Sequence, residues 1–81
     1  GGTTAAVGDI KMILRELIDN LADGVILAHN HPSDNNRPSP QDGQLTERLK
    51  AACRAVDVQF LDHIIVCRSG KYYSYLDNCR V

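Results

Sequence analysis

Between Val25 and Cys67 the hydrophobic pattern changes period twice, and this restricts the chain to a strand, helix, strand arrangement more than any other feature of it. Val25-Ile26-Leu27-Ala28 is a short unbroken apolar run, which predicts a strand covered on both faces. His29 to Pro38, HNHPSDNNRP, holds two prolines, three asparagines and no period, so it reads as a loop leaving the C-terminal end of that strand. Ser39 then stands where a helix N-cap belongs, with Pro40 at the first helical position and Asp42 three residues after the cap. Leu45, Leu49, Ala52, Cys53 and Val56 supply that helix with one apolar stripe. Val58 to Cys67 is rich in β-branched residues and reads as a second strand, joined by the turn Arg68-Ser69-Gly70-Lys71 to a third, Tyr72 to Leu76. The last five residues are predicted to trail off. Strand, helix, strand implies a right-handed crossover between parallel strands, and the hairpin after it adds an antiparallel one.

Upstream, Ile10, Ile13, Leu14, Leu17, Ile18 and Leu21 fall at offsets 0, 3, 4, 7, 8 and 11, one stripe of a helix that runs from Asp9 to Leu21 and is broken by Asp23-Gly24. With 81 residues there is room for one domain, 1–81, whose stability is thin unless a metal or a partner surface adds to it. Three countable strands leave a sheet edge open. Exposed apolar surface on the first helix and one sheet face, with self-association through the edge, is therefore expected.

Charge and cysteine usage exclude several classes. Nine basic residues against ten acidic ones, scattered along the chain, lack the footprint of a duplex-binding domain, so nucleic acid is not an expected partner. Cys53, Cys67 and Cys79 are odd in number and widely spaced, which predicts free thiols in a reducing compartment. No apolar run approaches the ~20 residues that span a bilayer, and no signal-peptide pattern opens the chain. A soluble, cytoplasmic domain is the expectation.

The residues that carry chemistry are His29, His31 and Asp42. Residues two apart in a strand point to the same side, so two imidazoles converge on one point. Asp42, in the first turn of the next helix, is close enough in chain to bring a carboxylate there. Two histidines, a carboxylate and a fourth position left to water are what a catalytic zinc site requires. Each residue also has a plainer role: histidines suit a polar loop, and an Asp three residues after a Ser cap complements the helix dipole.

His29-Asn30-His31-Pro32, a six-residue spacer, Ser39 and Asp42 together resemble the JAMM signature of the JAB/MPN metallohydrolases, in the form of the RadC-like branch. Gly1-Gly2-Thr3-Thr4, the helix from Asp9, Gly24 to Pro32, Thr46 and Leu49, and Leu61-Asp62-His63-Ile64-Ile65-Val66 resemble RadC-family blocks in their usual order. The loop Ser33-Asp34-Asn35-Asn36 departs from the family's usual Ser-Gly-Asp-Pro, and the first helix lacks the usual proline start. The resemblance implies a cytidine-deaminase-like JAB domain, α/β with a mixed sheet, forming the C-terminal portion of a longer protein whose upstream strands are missing here. It implies Zn²⁺ held by His29, His31 and Asp42, hydrolysis of peptide or isopeptide bonds in a peptide or protein substrate, and a hydrogen bond from Ser39 to the developing oxyanion. It also implies a general-base Glu on an upstream strand. Glu16 and Glu47 are the only glutamates here, and both are predicted on outward helix faces. His63 is predicted as a hydrogen-bonded core residue beside Asp62. The alternative is a noncatalytic, metal-stabilised interaction module or a DNA-repair accessory domain, since the family has an association with DNA repair.

Overall fold

The computed structural model describes residues 9–81, so the Gly1-Gly2-Thr3-Thr4 block lies outside the described residues. The elements are α1 (Ile10–Asp19), β1 (Gly24–His31), α2 (Pro40–Ala55), β2 (Gln59–Cys67) and β3 (Tyr72–Ser74). They form an α/β domain with a three-stranded mixed sheet in the order β1-β2-β3, β1 and β2 parallel, β2 and β3 antiparallel. Crossover and hairpin follow the sequence pattern, but β1 runs further than Ala28. His29 and His31 pair with Ile65 and Cys67 of β2, and the loop begins only at Pro32, whose nitrogen has no proton to give a ladder.

Both helices start on side-chain caps and end on backbone ones. Asp9 caps α1 by accepting from the Met12 N–H at 3.3 Å, and Ser39 caps α2 with a complete capping box. At the far end of α1, Leu21 sits at φ 48° while Ala22 N–H donates to Leu17 C=O and Leu21 N–H to Ile18 C=O, the Schellman arrangement. Thus α1 stops two residues short of Leu21, which points into solvent instead of extending the apolar stripe. Asp57 at φ 59° ends α2 in the same way, with Val58 N–H donating to Cys53 C=O, and this leaves Val56 exposed at the cap rather than in the core. The same pattern recurs at the C-terminal end, where Cys79 takes φ 58° and Arg80 N–H donates to Tyr75 C=O. The final residues therefore fold back rather than trail off, and the Arg80 guanidinium stacks 4.6 Å above the Tyr75 ring. β3 ends at Ser74 because Tyr75 already begins this turn.

One core joins the layers. Ile13 and Leu17 of α1, Leu45, Leu49 and Cys53 of α2, Leu27 of β1 and Val58 are buried together. The opposite sheet face is apolar but open: Ile26 is 57% exposed, with Leu61 and Val66 also exposed. β1, predicted as covered on both faces, is therefore covered on one, and Met12 and Ile18 leave apolar surface on α1 as well. Cys53 and Cys67 are buried free thiols and Cys79 an exposed one, as their spacing predicts. Among the described residues no helix is long and apolar enough to cross a membrane.

A register shift positions the site. Val25 pairs with Phe60 but Ile26 with Asp62, so β2 carries one extra residue there. Side chains alternate along a strand, and one inserted residue moves all that follow to the opposite face. His63, Ile65 and Cys67 consequently share the inner face with Leu27, His29 and His31.

Leu21 marks a testable strain. A non-glycine residue in the left-handed region costs ~1–2 kcal/mol, and this side chain is 84% exposed, so little packing is lost with it. Leu21→Gly should raise stability by about 0.5–1 kcal/mol after the added chain entropy of glycine is deducted. Urea midpoints of the two proteins check this, and an unchanged or lower midpoint refutes it.

Candidate metal centre

The C-terminal end of β1 and the first turn of α2 meet at one point. β1 aims His29 and His31 to the same side, and their rings stand 5.1 Å apart, centre to centre. The capping box brings Asp42 to them: its backbone N–H donates to Ser39 Oγ at 3.1 Å, and its Oδ2 accepts from the Ser39 backbone N–H at 2.8 Å. His29 Nε2 lies 3.1 Å from Asp42 Oδ1 and His31 Nε2 lies 3.1 Å from Asp42 Oδ2. Cap and cluster thus share one carboxylate, and the capping role of Asp42 leaves its oxygens facing both histidines. One ligand atom from each residue lies within 4.8 Å of the others, and all three side chains are mostly buried.

These donors fit a zinc ion. Tetrahedral ligands at ~2.0–2.1 Å from Zn²⁺ stand about 3.3 Å from one another, close to the two observed N···O separations. Hydrogen-bond polarity points the same way. The Asn35 carbonyl can only accept, so the 3.0 Å contact to His31 Nδ1 puts the proton there, and a neutral ring then presents the lone pair of Nε2 to an Asp42 oxygen. Two lone pairs at that distance call for a cation or a further proton between them.

Electrostatics keeps the donors ready. Burial pushes the Asp42 carboxyl upward, but the hydrogen bonds from Ser39 and the neighbouring His29 and His31 outweigh it and hold Asp42 below its ordinary value. Its place in the first turn of α2 also favours the anion. Burial is the main cause that lowers His29 from its ordinary value, against the pull of Asp42.

Behind His29 stands His63, wholly buried, with Nε2 2.9 Å from His29 Nδ1 and Nδ1 2.6 Å from Thr46 Oγ1. It is a hydrogen-bonded core residue, as predicted, and it also backs a candidate ligand. Tyr75 stacks on its ring at 4.7 Å with 9° between the planes, and the buried Tyr75 hydroxyl has no hydrogen-bond partner among the described residues. Asp62 accepts from His63 N–H, Ser74 Oγ and Leu76 N–H at 2.6–2.9 Å, pinning β2 to the hairpin. Thr46 was legible only as part of a family block. Its signal was spacing, since a residue four after Asp42 lies on the same helix face. No comparable signal marks the Asn35 carbonyl.

Neither glutamate joins the cluster. Glu47 is ~140° around α2 from Asp42 at 100° per residue, its side chain 71% exposed and 3.7 Å from Lys50. Glu16 lies on α1, beside the buried Leu17 and outside the group of donors.

His63 generates a pH dependence. Burial, then the neighbouring His29, lowers its pKa to about 4 from 6.5, so the folded state binds fewer protons than the unfolded one between those values. Stability of the chelator-treated protein should be full above pH 6.5 and fall as the pH drops towards 4, by on the order of 2–3 kcal/mol from this residue. His29 adds in the same direction, whereas Asp42 acts only at lower pH. Chemical unfolding at stepped pH should show the slope, shallower in His63→Gln. Equal slopes refute it.

The sequence profile of the RadC-like JAB domain matches residues 1–80. The chain is 40% identical over 77 residues to a UPF0758 protein of Porphyromonas gingivalis, covering 95% of this chain and 34% of that protein. It is likewise 40% identical over 77 residues to one from Flavobacterium johnsoniae, covering 95% and 33%. A UPF0758 protein of Haemophilus ducreyi is 49% identical over 65 residues, 80% of this chain and 29% of the relative. The chain spans about a third of the length of the relatives it matches. With a match across nearly every residue and a JAB-like mixed sheet beneath the histidine pair, this chain belongs to the RadC family as a RadC-like JAB domain.

Proposed function

We propose that His29, His31 and Asp42 hold one Zn²⁺ and that the full-length protein is a zinc-dependent hydrolase of peptide or isopeptide bonds. The observation that carries this reading is the convergence of two imidazole Nε2 atoms on the two oxygens of one carboxylate, both at 3.1 Å. When bound, the ion would lower the pKa of a water and polarise a carbonyl.

The other roles belong to the chain. His29, His31 and Asp42 contribute two neutral donors and one anion, and leave one tetrahedral position for water or substrate. Ser39 Oγ accepts from Asp42 N–H, so its own proton is free to donate to a carbonyl oxygen as negative charge develops there. Beside His31 a cleft of about 390 Å³, lined by Asn30, His31, Pro32, Val66, Cys67 and Arg68, offers room and partly apolar walls to a peptide. The proton of the attacking water needs a carboxylate base, and with Glu16 and Glu47 turned elsewhere the proposal assigns it to the remainder of the full-length protein.

Two measurements test the reading. Elemental analysis should find one zinc per chain. Asp42→Asn should weaken zinc binding by more than ~100-fold, beyond what loss of an outer partner causes, while changing apo stability by only about 0.5–1 kcal/mol. Absence of zinc, or unaltered affinity with a lowered melting temperature, would return Asp42 to capping alone and leave a noncatalytic module. Activity is compared between residues 1–81 and the full-length protein, both zinc-loaded, on one panel of peptide and isopeptide substrates. Turnover should come only from the longer protein, because a missing base costs ~100- to 10,000-fold. Comparable turnover from both would place the base within this chain.

A further inference from the structure

We infer that Asp34 and Asn36 are positioning residues: they fasten the loop between β1 and α2 to the β2–β3 hairpin, and so hold the Asn35 carbonyl against the His31 ring. Both reach far along the chain. Asp34 Oδ1 accepts from the Ser69 backbone N–H at 3.2 Å, and Asn36 Nδ2 donates to the Tyr72 carbonyl at 2.8 Å, across 35 and 36 positions of sequence. Asn35 lies between these two fastenings, and its carbonyl stands 3.0 Å from His31 Nδ1.

Bonds within the loop do not put that carbonyl in place. Ser33 Oγ accepts from Asn35 N–H at 3.3 Å and Asn35 Oδ1 accepts from Arg37 N–H at 3.0 Å, which folds the loop into a turn. Such bonds fix a shape, and a loop free of the sheet still swings about its two ends. The hairpin supplies the position. His31 pairs with Cys67 of β2, Ser69 lies in the turn that follows, and Tyr72 opens β3, so the ring and the carbonyl that meets it are referred to one hairpin. His29 does not depend on the loop in this way, since its Nδ1 faces His63 on β2. Both fastening side chains also fall where the loop departs from the family's usual Ser-Gly-Asp-Pro. Glycine in place of Asp34 would bring no carboxylate, and proline in place of Asn36 no donor. The consequence for zinc rests on the reading above, whereas the fastening of the loop does not.

The test, on full-length protein, separates the hydrogen bonds from the charges that accompany them. Asn36→Asp keeps the shape but cannot donate, and the charge it adds favours a nearby cation. Its zinc affinity, measured against a competing chelator, should still fall about 3–10-fold, the scale of one lost hydrogen bond. Asp34→Asn loses a charge but keeps an oxygen that accepts, so it should stay close to wild type, while Asp34→Ala should fall about as far as Asn36→Asp. In the chelator-stripped protein near neutral pH, the ring ¹³C–¹H signals of His31 should move in Asn36→Asp and Asp34→Ala while those of His29 hold. Equal or tighter zinc binding by Asn36→Asp, a loss in Asp34→Asn as large as in Asp34→Ala, or His31 signals that stay in place each overturn the proposal. If the ring signals respond as expected but the wild type binds no zinc, the fastening stands and the zinc reading falls.

Discussion

The Asp42 carboxylate is the interaction on which the rest of this structure hangs. One oxygen accepts from the Ser39 backbone and approaches His31, and the other approaches His29, so the start of α2 and the end of β1 are joined through a single side chain. An anion suits the first turn of a helix, where unpaired N–H groups converge. A cation suits the same spot only because that anion is there. The dipole alone would repel a metal, and the two imidazoles alone would supply no charge to offset it. Local helix chemistry thus prepares a carboxylate that tertiary structure then uses a second time.

Around this point the protein builds support in layers. Asn35 fixes His31 through a loop carbonyl, and Thr46, one helical turn after Asp42, reaches His63 and through it His29. From Thr46 through His63 every polar atom lies on an element that is itself held: α2 by its core residues Leu45, Leu49 and Cys53, β2 by pairing on both sides. A site built on regular elements is more exact than one built on loops. The opposite sheet face, with Ile26, Leu61 and Val66 exposed, supplies none of the three donors.

Much of the fold is legible in the sequence. The period of three to four residues in α1 and α2, the Ser39-Pro40 start and the apolar run before the histidines specified the order of elements. The two-residue spacing of His29 and His31 specified a shared side. What was misread has physical causes. β1 runs through His31 because β2 offers it a partner that far, and a local count of Asn and Pro cannot show a partner distant in sequence. Leu21 and Val56 fit the apolar stripes by spacing, yet both helices close on Schellman caps at non-glycine residues, Leu21 and Asp57, where no glycine marks the end. The C-terminal residues fold back on the same backbone motif at Cys79, again without a glycine to announce it.

The sequence by itself determined which donors exist and that three of them lie near one another, because strand periodicity, a short loop and a capped helix are local properties. Only the tertiary structure decided how those donors are held. His63 reaches His29 across 34 positions of chain, and it does so because one extra residue in β2 turns it to the inner face. Had the register continued unbroken from Phe60, Asp62 would occupy that face and His63 the open one. Register is set by packing of whole strands against a core, so no window of residues around His63 contains it.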